Sequence, residues 1–381
     1  MPGYYEFFSG GGMVRAALDS DWNCLFANDI DAKKCAAYSE NWDGRELLVG
    51  DIANVSTADL PARPDLAWAS FPCQDLSLAG AGAGLSGSRS GTFWSFWRLV
   101  RALDEEDRAP RIVVLENVCG ILSSHGGADF AAIGDALSEG GYRFGAIVID
   151  AVRFVPQSRP RLFIVAVKDG GAEYCQLSAS RPNALWHPSH LTGAYEKLTQ
   201  RARNAWVWWT LPVPTPPRAV LSDLIDEIPE GIGWHSLAET ERLLSMMSLI
   251  NRQKVDRAAK LGRRVVGSIY RRTRIDEKGN RVQRAEVRFD GISGCLRTPL
   301  GGSSRQTILI VDGENICSRL LSPREASRLM GLPESYILPR SYNDAYHLAG
   351  DGVVVAVVKF LSDSLLLPIL STRSRQSRQA A

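Results

Sequence analysis

No Cys-x-x-Cys pair occurs in this chain. Its seven cysteines stand singly at positions 24, 35, 73, 119, 175, 295 and 317. An odd, scattered set argues against a zinc site and gives no disulfide framework. It fits small buried hydrophobes in a reducing cytosol. The apolar run Val353–Val358 is too short to cross a bilayer. Met1-Pro2-Gly3 leads straight into a strand-like run, so no signal peptide is expected. No internal repeat is visible, and charge of one sign barely dominates. The 44 Lys/Arg against 42 Asp/Glu leave a net charge of +2, which names no partner. What remains is an ordinary globular composition, 45% apolar and 23% charged. At 381 residues there is room for two domains.

Residues 4–168 alternate between strand-like and helix-like runs. Tyr4–Phe8 is an apolar strand ended by Ser9-Gly10-Gly11-Gly12, and Met13–Leu18 reads as a helix. Strands follow at Cys24–Ala27, Leu47–Val49, Leu66–Ala69, Ile112–Leu115, Gly145–Asp150 and Leu162–Val167, with helices at Asp31–Asn41 and Ala128–Ser138. This order predicts an α/β fold with a doubly wound sheet. After Asp169-Gly170-Gly171 the pattern breaks. Prolines gather at 212, 214, 216 and 217 and tryptophans at 206, 208 and 209, so residues 171–320 read as a second, irregular domain. Between Asn251 and Arg288 lie 13 Lys/Arg and 4 Asp/Glu. That excess is either a solvated helix face with a hairpin near Asp276–Asn280 or a surface that follows phosphates. Helical order returns from Arg319. The basic, polar stretch Ser371–Arg378 reads as a disordered tail.

Three motifs carry chemistry. Phe8-Ser9-Gly10-Gly11-Gly12 ends a first strand and opens a helix, where glycines let a ligand approach free N–H groups. It lacks the spacing of a dinucleotide fingerprint. Acids end later strands at Asp29 and Asp51. A carboxylate after the second strand suits ribose hydroxyls, although Asp29 also suits the N-cap of the helix at 31–41. Phe71-Pro72-Cys73-Gln74 puts a thiol on a turn after one buried strand, and Glu116-Asn117-Val118 puts a carboxyl after another. If the two strands are parallel neighbours, nucleophile and acid face one crevice. Gln157-Ser158-Arg159-Pro160-Arg161 precedes a further strand. Arg319–Ala326 with Gly331-Leu332-Pro333 reads as a capped helix, with Ser322 as N-cap, Pro323 at N1 and Glu325 at N3.

Together these stretches resemble the DNA (cytosine-5)-methyltransferases of bacterial restriction-modification systems, over most of the chain. The resemblance implies a Rossmann-like, S-adenosylmethionine-dependent sheet. Residues 1–170 are then the catalytic and cofactor-binding domain, and 171–320 a smaller target-recognition domain. Residues 321–381 carry the helix motif and the return to the catalytic domain. It implies Cys73 as the nucleophile, Glu116 as the acid near the base's N3 and Arg161 as the donor to O2. Arg159 supports Cys73 and nearby backbone. For the cofactor it implies Phe8, Ser9, Gly10, Gly12, Asp29, Ile30, Asp51, Ile52, Pro72 and Asp351. Phe8 packs on adenine, and Ile30 stands where some members carry an aromatic.

Two departures stand out. Gly350-Asp351-Gly352 has a charge where the family usually has Asn, and Arg89 lies one residue earlier than the usual arginine before glycine. The resemblance also implies double-stranded DNA as substrate, a flipped-out cytosine, and a monomeric cytoplasmic enzyme. A restriction endonuclease acting on the same site is the implied companion. Gly80–Gly84 suits a lid, and Ser77 and Arg89 suit DNA contact. In Leu296–Gln306, Arg297, Ser304, Arg305 and Gln306 are candidates for the groove, because arginine pairs with guanine and glutamine with adenine. The lesser reading of the same loop is a Gly/Ser hairpin with solvated arginines. A tRNA cytosine-5 methyltransferase on the same scaffold is the main alternative. A nucleotide-dependent oxidoreductase is another, but it leaves Cys73, Glu116 and Arg161 without a role.

Overall fold

The central strands of the first unit's sheet are mostly apolar, as burial on both faces demands, with Glu6 an acid inside one of them. The computed structural model describes residues 1–72, 91–168, 176–275, 279–298 and 305–371. It divides into two units. Unit 1 holds residues 1–150, 160–213 and the chain from Val355, and unit 2 holds 151–159 and 214–354.

Unit 1 runs β1 (Gly3–Phe7), α1 (Met13–Leu18), β2 (Asn23–Asp29), α2 (Ala32–Trp42), β3 (Leu47–Val49), β4 (Leu66–Ala69), α3 (Thr92–Glu105), β5 (Ile112–Asn117), α4 (Ala128–Glu139), β6 (Tyr142–Asp150) and β7 (Pro160–Lys168). These strands form one sheet in the order β3-β2-β1-β4-β5-β7-β6. The pairs β1–β2, β2–β3, β1–β4 and β4–β5 are parallel, while β7 runs antiparallel to β5 and β6. Strand order reverses between β1 and β4, the point in such sheets where ligands enter beyond the carboxyl ends. Phe7 packs on Phe96 and Phe26 at ring distances of 5.2 and 5.5 Å, joining sheet and helix.

Helix α3 is an addition to the elements expected from the sequence. Its buried residues Phe93, Phe96, Trp97, Val100 and Leu103 recur at helical spacing, so the signal for it is present in the chain.

Residues 176–213 pack in unit 1, although their composition groups them with the irregular region. They carry β8 (Ser178–Ala179), α5 (Ser189–Tyr195), α6 (Gln200–Asn204) and β9 (Trp208–Trp209). The cause is the free edge of β6. Phe144 N donates to Ala205 O (2.9 Å), and Val207 N donates to Phe144 O (2.7 Å). This covers an edge that would otherwise present unpaired backbone. Gly145 allows the approach, since a Cβ there would lie 1.8 Å from Val207 O.

Unit 2 contains α7 (Leu237–Ser245), α8 (Leu249–Ala259), β10 (Val265–Ile275), β11 (Arg281–Arg288), β12 (Thr307–Asp312), β13 (Asn315–Leu320), α9 (Pro323–Leu329) and α10 (Tyr342–Asp351). Its strands form an antiparallel sheet in the order β11-β10-β12-β13. Leu243, Met247, Val255, Ile269, Val287, Leu309 and Val311 make its core. The capping box at Ser322 and Glu325 is formed, with Pro323 in the first turn. Glu325 also holds the wholly buried Arg319 through two hydrogen bonds of 2.6 and 2.7 Å.

The chain rejoins unit 1 at α11 (Val355–Leu361), whose Val357, Val358 and Leu361 are buried. The stretch Tyr342–Ser371 is long and apolar enough to cross a membrane by composition, but half of it is buried in protein.

Candidate active site and cofactor cradle

The turn after β1 is strained in a way that suits a bound ligand. Phe8, Gly10 and Gly12 all have left-handed backbones (φ 59°, 54° and 74°). A Cβ on Gly12 would come within 2.5 Å of the Trp42 ring and 2.8 Å of Tyr38. Only glycine serves there. Ser9 is buried, and its Oγ has no hydrogen-bond partner among the described residues. Asp29 ends β2 and accepts from Gly10 N (2.7 Å) and Asp31 N (2.8 Å), so it braces the turn. It is not the helix cap. Asp31 is the N-cap of α2 and accepts from Lys33 N and Lys34 N. Each Asp29 oxygen has a second lone pair to offer a hydroxyl.

Ile30 is exposed, Ile52 is buried, and exposed Asp51 accepts from Ala53 N (2.9 Å). The left-handed glycines, the unpartnered Ser9 hydroxyl and the carboxylate at the β2 end fit a nucleoside with a charged tail. Glu6, two residues before Phe8, is buried, and burial pushes its carboxyl up to about 8. Arg15 and the backbone amides of Val14 and Arg15 oppose that rise.

The strands expected to carry nucleophile and acid are parallel neighbours, with Ala69 opposite Leu115. Asn117 Nδ2 donates to Phe71 O at 3.2 Å. The residue after the acid therefore fastens the segment that leads into Pro72 and Cys73. Phe71 is itself buried against Phe93 at a ring distance of 5.7 Å. In the sequence Asn117 stands only as a member of a motif, because its role depends on a cross-strand contact. Glu116 is buried, and Arg161 Nε lies 3.3 Å from its Oε1. The antiparallel β7 brings them together by returning Arg161 to the carboxyl end of β5. Burial pushes the nearby Cys119 thiol up to about 11. It is thus an inert neighbour rather than a second nucleophile. Cys73, Ser77, Arg89 and the Gly80–Gly84 run lie outside the described residues, as does Ser304.

Arg159, in unit 2, donates to Leu296 O (3.0 Å), Gly350 O (2.8 Å) and Gly352 O (2.7 Å). These bonds strap two loops of that unit together. Asp351 lies between the two glycines, exposed at the end of α10. Arg297 is exposed. Arg305 bonds Asn343 Oδ1 and lies 5.2 Å from the centre of the Tyr342 ring. Gln306 is not available to read a base. It is buried, and its amide donates to Ile269 O (3.0 Å) and Thr307 O (3.1 Å). Its backbone N donates to Tyr346 OH (2.8 Å), which fixes the entry to β12.

Residues 4–366 match the model of the C-5 cytosine-specific DNA methylase family. The chain belongs to that family. The methylase is 26% identical to the Type II methyltransferase M.HhaI of Haemophilus parahaemolyticus, over 94% of this chain and 92% of that protein. It is 30% identical to the Type II methyltransferase M.HaeII of Haemophilus aegyptius, over 95% and 92%. Among solved structures it shares its fold with the Entamoeba histolytica methyltransferase EhMeth (TM-score 0.63, 15% identity, 97% and 99% covered). It shares it also with the Dnmt2 methyltransferase of S. pombe (TM-score 0.58, 19% identity, 97% and 99% covered). The methylase transfers a methyl group from S-adenosylmethionine to C5 of cytosine in double-stranded DNA.

Proposed function

We propose that Cys73 is the nucleophile of this transfer, with Glu116 and Arg161 stabilising the charge that its attack creates. The supporting observation is the pairing of β4 with β5, tied at its end by Asn117 on Phe71. That bond anchors the chain two residues before the thiol.

S-adenosylmethionine, when bound, supplies a methyl group activated by a sulfonium; Ser9, Gly10, Gly12 and Asp29 would hold it. The Cys73 thiolate adds to C6 of cytosine, which opens the C5–C6 double bond and makes C5 electron-rich. Glu116 keeps a proton at N3, and Arg161 donates to O2, so the added electrons rest on a neutralised ring. After methylation water takes the C5 proton, the electron pair left behind restores the C5–C6 double bond, and the C6–S bond breaks to return the thiolate. A cytosine in a duplex must be flipped out first, at a cost of a few kcal/mol.

Unit 2 supplies target recognition in this reading, with Arg297 and Arg305 as candidate readers. The enzyme acts as a monomer in the cytoplasm, beside an endonuclease of the same specificity. The Type II names of its relatives support that companion.

Cys73→Ala should abolish methyl transfer to duplex DNA and leave DNA binding in place. Glu116→Gln should lose about 10²–10⁴ in rate with cofactor affinity kept. Turnover in the alanine variant would exclude the covalent route. A matching loss of cofactor affinity in the glutamine variant would put Glu116 in the cofactor site instead.

A further inference from the structure

The strands β10 and β11 outrun the sheet they belong to. Among the described residues β10 pairs with β12 over Val265–Ile269, while it pairs with β11 as far as Ile275 and Arg281. Residues Arg271–Ile275 are exposed, as are Arg281 and Gln283, and Ile275 is 75% exposed. This outer part is a two-stranded ribbon wetted on both faces, and it has no core of its own to justify its sequence.

That sequence is rich in arginine. Residues 270–275 and 279–286 hold Arg271, Arg272, Arg274, Arg281 and Arg284 against Glu286 alone. Side chains alternate between faces along a strand. Tyr270, Arg272, Arg274, Arg284 and Glu286 therefore share one face. Arg272 stands directly opposite Arg284. Like charges so placed disfavour the ribbon. On the same face Arg274 donates to Glu286 Oε1 through Nε (2.8 Å) and Nη2 (2.6 Å). Arg272 Nε lies 3.6 Å from Glu286 Oε2, and its guanidinium is 5.5 Å from the centre of the Tyr270 ring. One carboxylate thus orients two arginines and leaves the face positive. Folding gains nothing from the opposed arginines, whereas a polyanion beside them would remove the repulsion.

We infer that this ribbon grips the sugar-phosphate backbone of duplex DNA through the face bearing Arg272, Arg274 and Arg284. The grip is independent of base sequence. It rests on the reading of the chain as a duplex-DNA methylase, and assigns to the ribbon a holding role separate from base recognition. Long cationic side chains in a row suit phosphates, which position a protein on DNA without reading it.

The test is the salt dependence of binding by the full-length enzyme to a mixed-sequence 30-base-pair duplex. Each phosphate that the protein no longer neutralises should flatten the slope of log affinity against log salt by about 0.9. The double variant Arg272→Gln/Arg284→Gln should flatten it by about 1.8, with a melting temperature no lower than the parent's. Arg272→Lys/Arg284→Lys should keep the parent slope. A parental slope in the glutamine variant, with the parent enzyme methylating the same duplex, would overturn the ribbon's role. A larger flattening on tRNA than on duplex would overturn the choice of partner. Flattening on duplex with no methylation by the parent would keep the ribbon and sink the activity reading.

Discussion

Unit 1 and unit 2 keep their charges in different places. In the seven-stranded sheet, strand interiors are apolar and the ion pair of Glu116 with Arg161 stands at a strand end. In the four-stranded sheet, arginines line two strands where they leave the core. A sheet covered on both faces has only its ends for polar chemistry, so its reactive groups are few, buried and braced. A strand pair that outruns its neighbours offers its whole length to a large, charged partner. The first arrangement suits bond-making, and the second suits holding.

Two groups cut across that contrast. Among the described residues, unit 2 buries the ion pair of Arg319 with Glu325, and unit 1 buries the acid Glu6 inside a strand. The Glu325 carboxyl is raised by burial, but hydrogen bonds from Arg319 and Ser322 N outweigh that and hold it below the usual range. Breaking such a pair leaves an uncompensated charge. Arg319→Ala should therefore cost about 3–5 kcal/mol in urea unfolding. A loss below about 1 kcal/mol would mean the pair is no anchor for unit 2.

Glu6 should produce an effect that depends on pH. Its folded carboxyl titrates at about 8, against roughly 4.3 unfolded. Between those values the folded state holds the extra proton. Its contribution is complete below about pH 4.3 and is lost as pH rises towards 8, by up to about 1.4 kcal/mol per unit. Glu6→Gln should remove that slope, and an unchanged slope would place the ionised form in the folded protein.

His187 acts in the opposite direction over a narrower window. Burial lowers it to about 4, against roughly 6.5 unfolded. The unfolded chain takes up the proton first, so stability should fall as pH drops from about 6.5 to 4. His187→Gln should flatten that limb in thermal unfolding at pH 4–6.5. A limb as steep as the parent's would assign the loss to other groups.

The same contrast explains what is legible in the sequence. In unit 1 the apolar run marks β4 to the residue, since a doubly buried strand has no other composition. The antiparallel setting of β7 is not legible, because pairing direction leaves no mark on a strand buried on both faces. Asn117 does not show itself as a brace, because its partner is 46 residues away. In unit 2, Gln306 offers its amide as a base reader, and the fold spends that amide on Ile269 O. Side-chain chemistry alone does not say which polar group the backbone will claim. The tryptophans of residues 206–209 suggest a separate domain, while their use is to cover the edge of β6.

Covalent attack by Cys73 can be trapped on mixed-sequence duplex DNA carrying 5-fluorocytosine, with S-adenosylmethionine present. Fluorine cannot leave C5 as the proton does, so a covalent route must stop at the adduct. The parent enzyme should form a complex that survives denaturation, and Cys73→Ala should form none. No adduct with the parent enzyme, or an adduct that persists in Cys73→Ala, would contradict that attack.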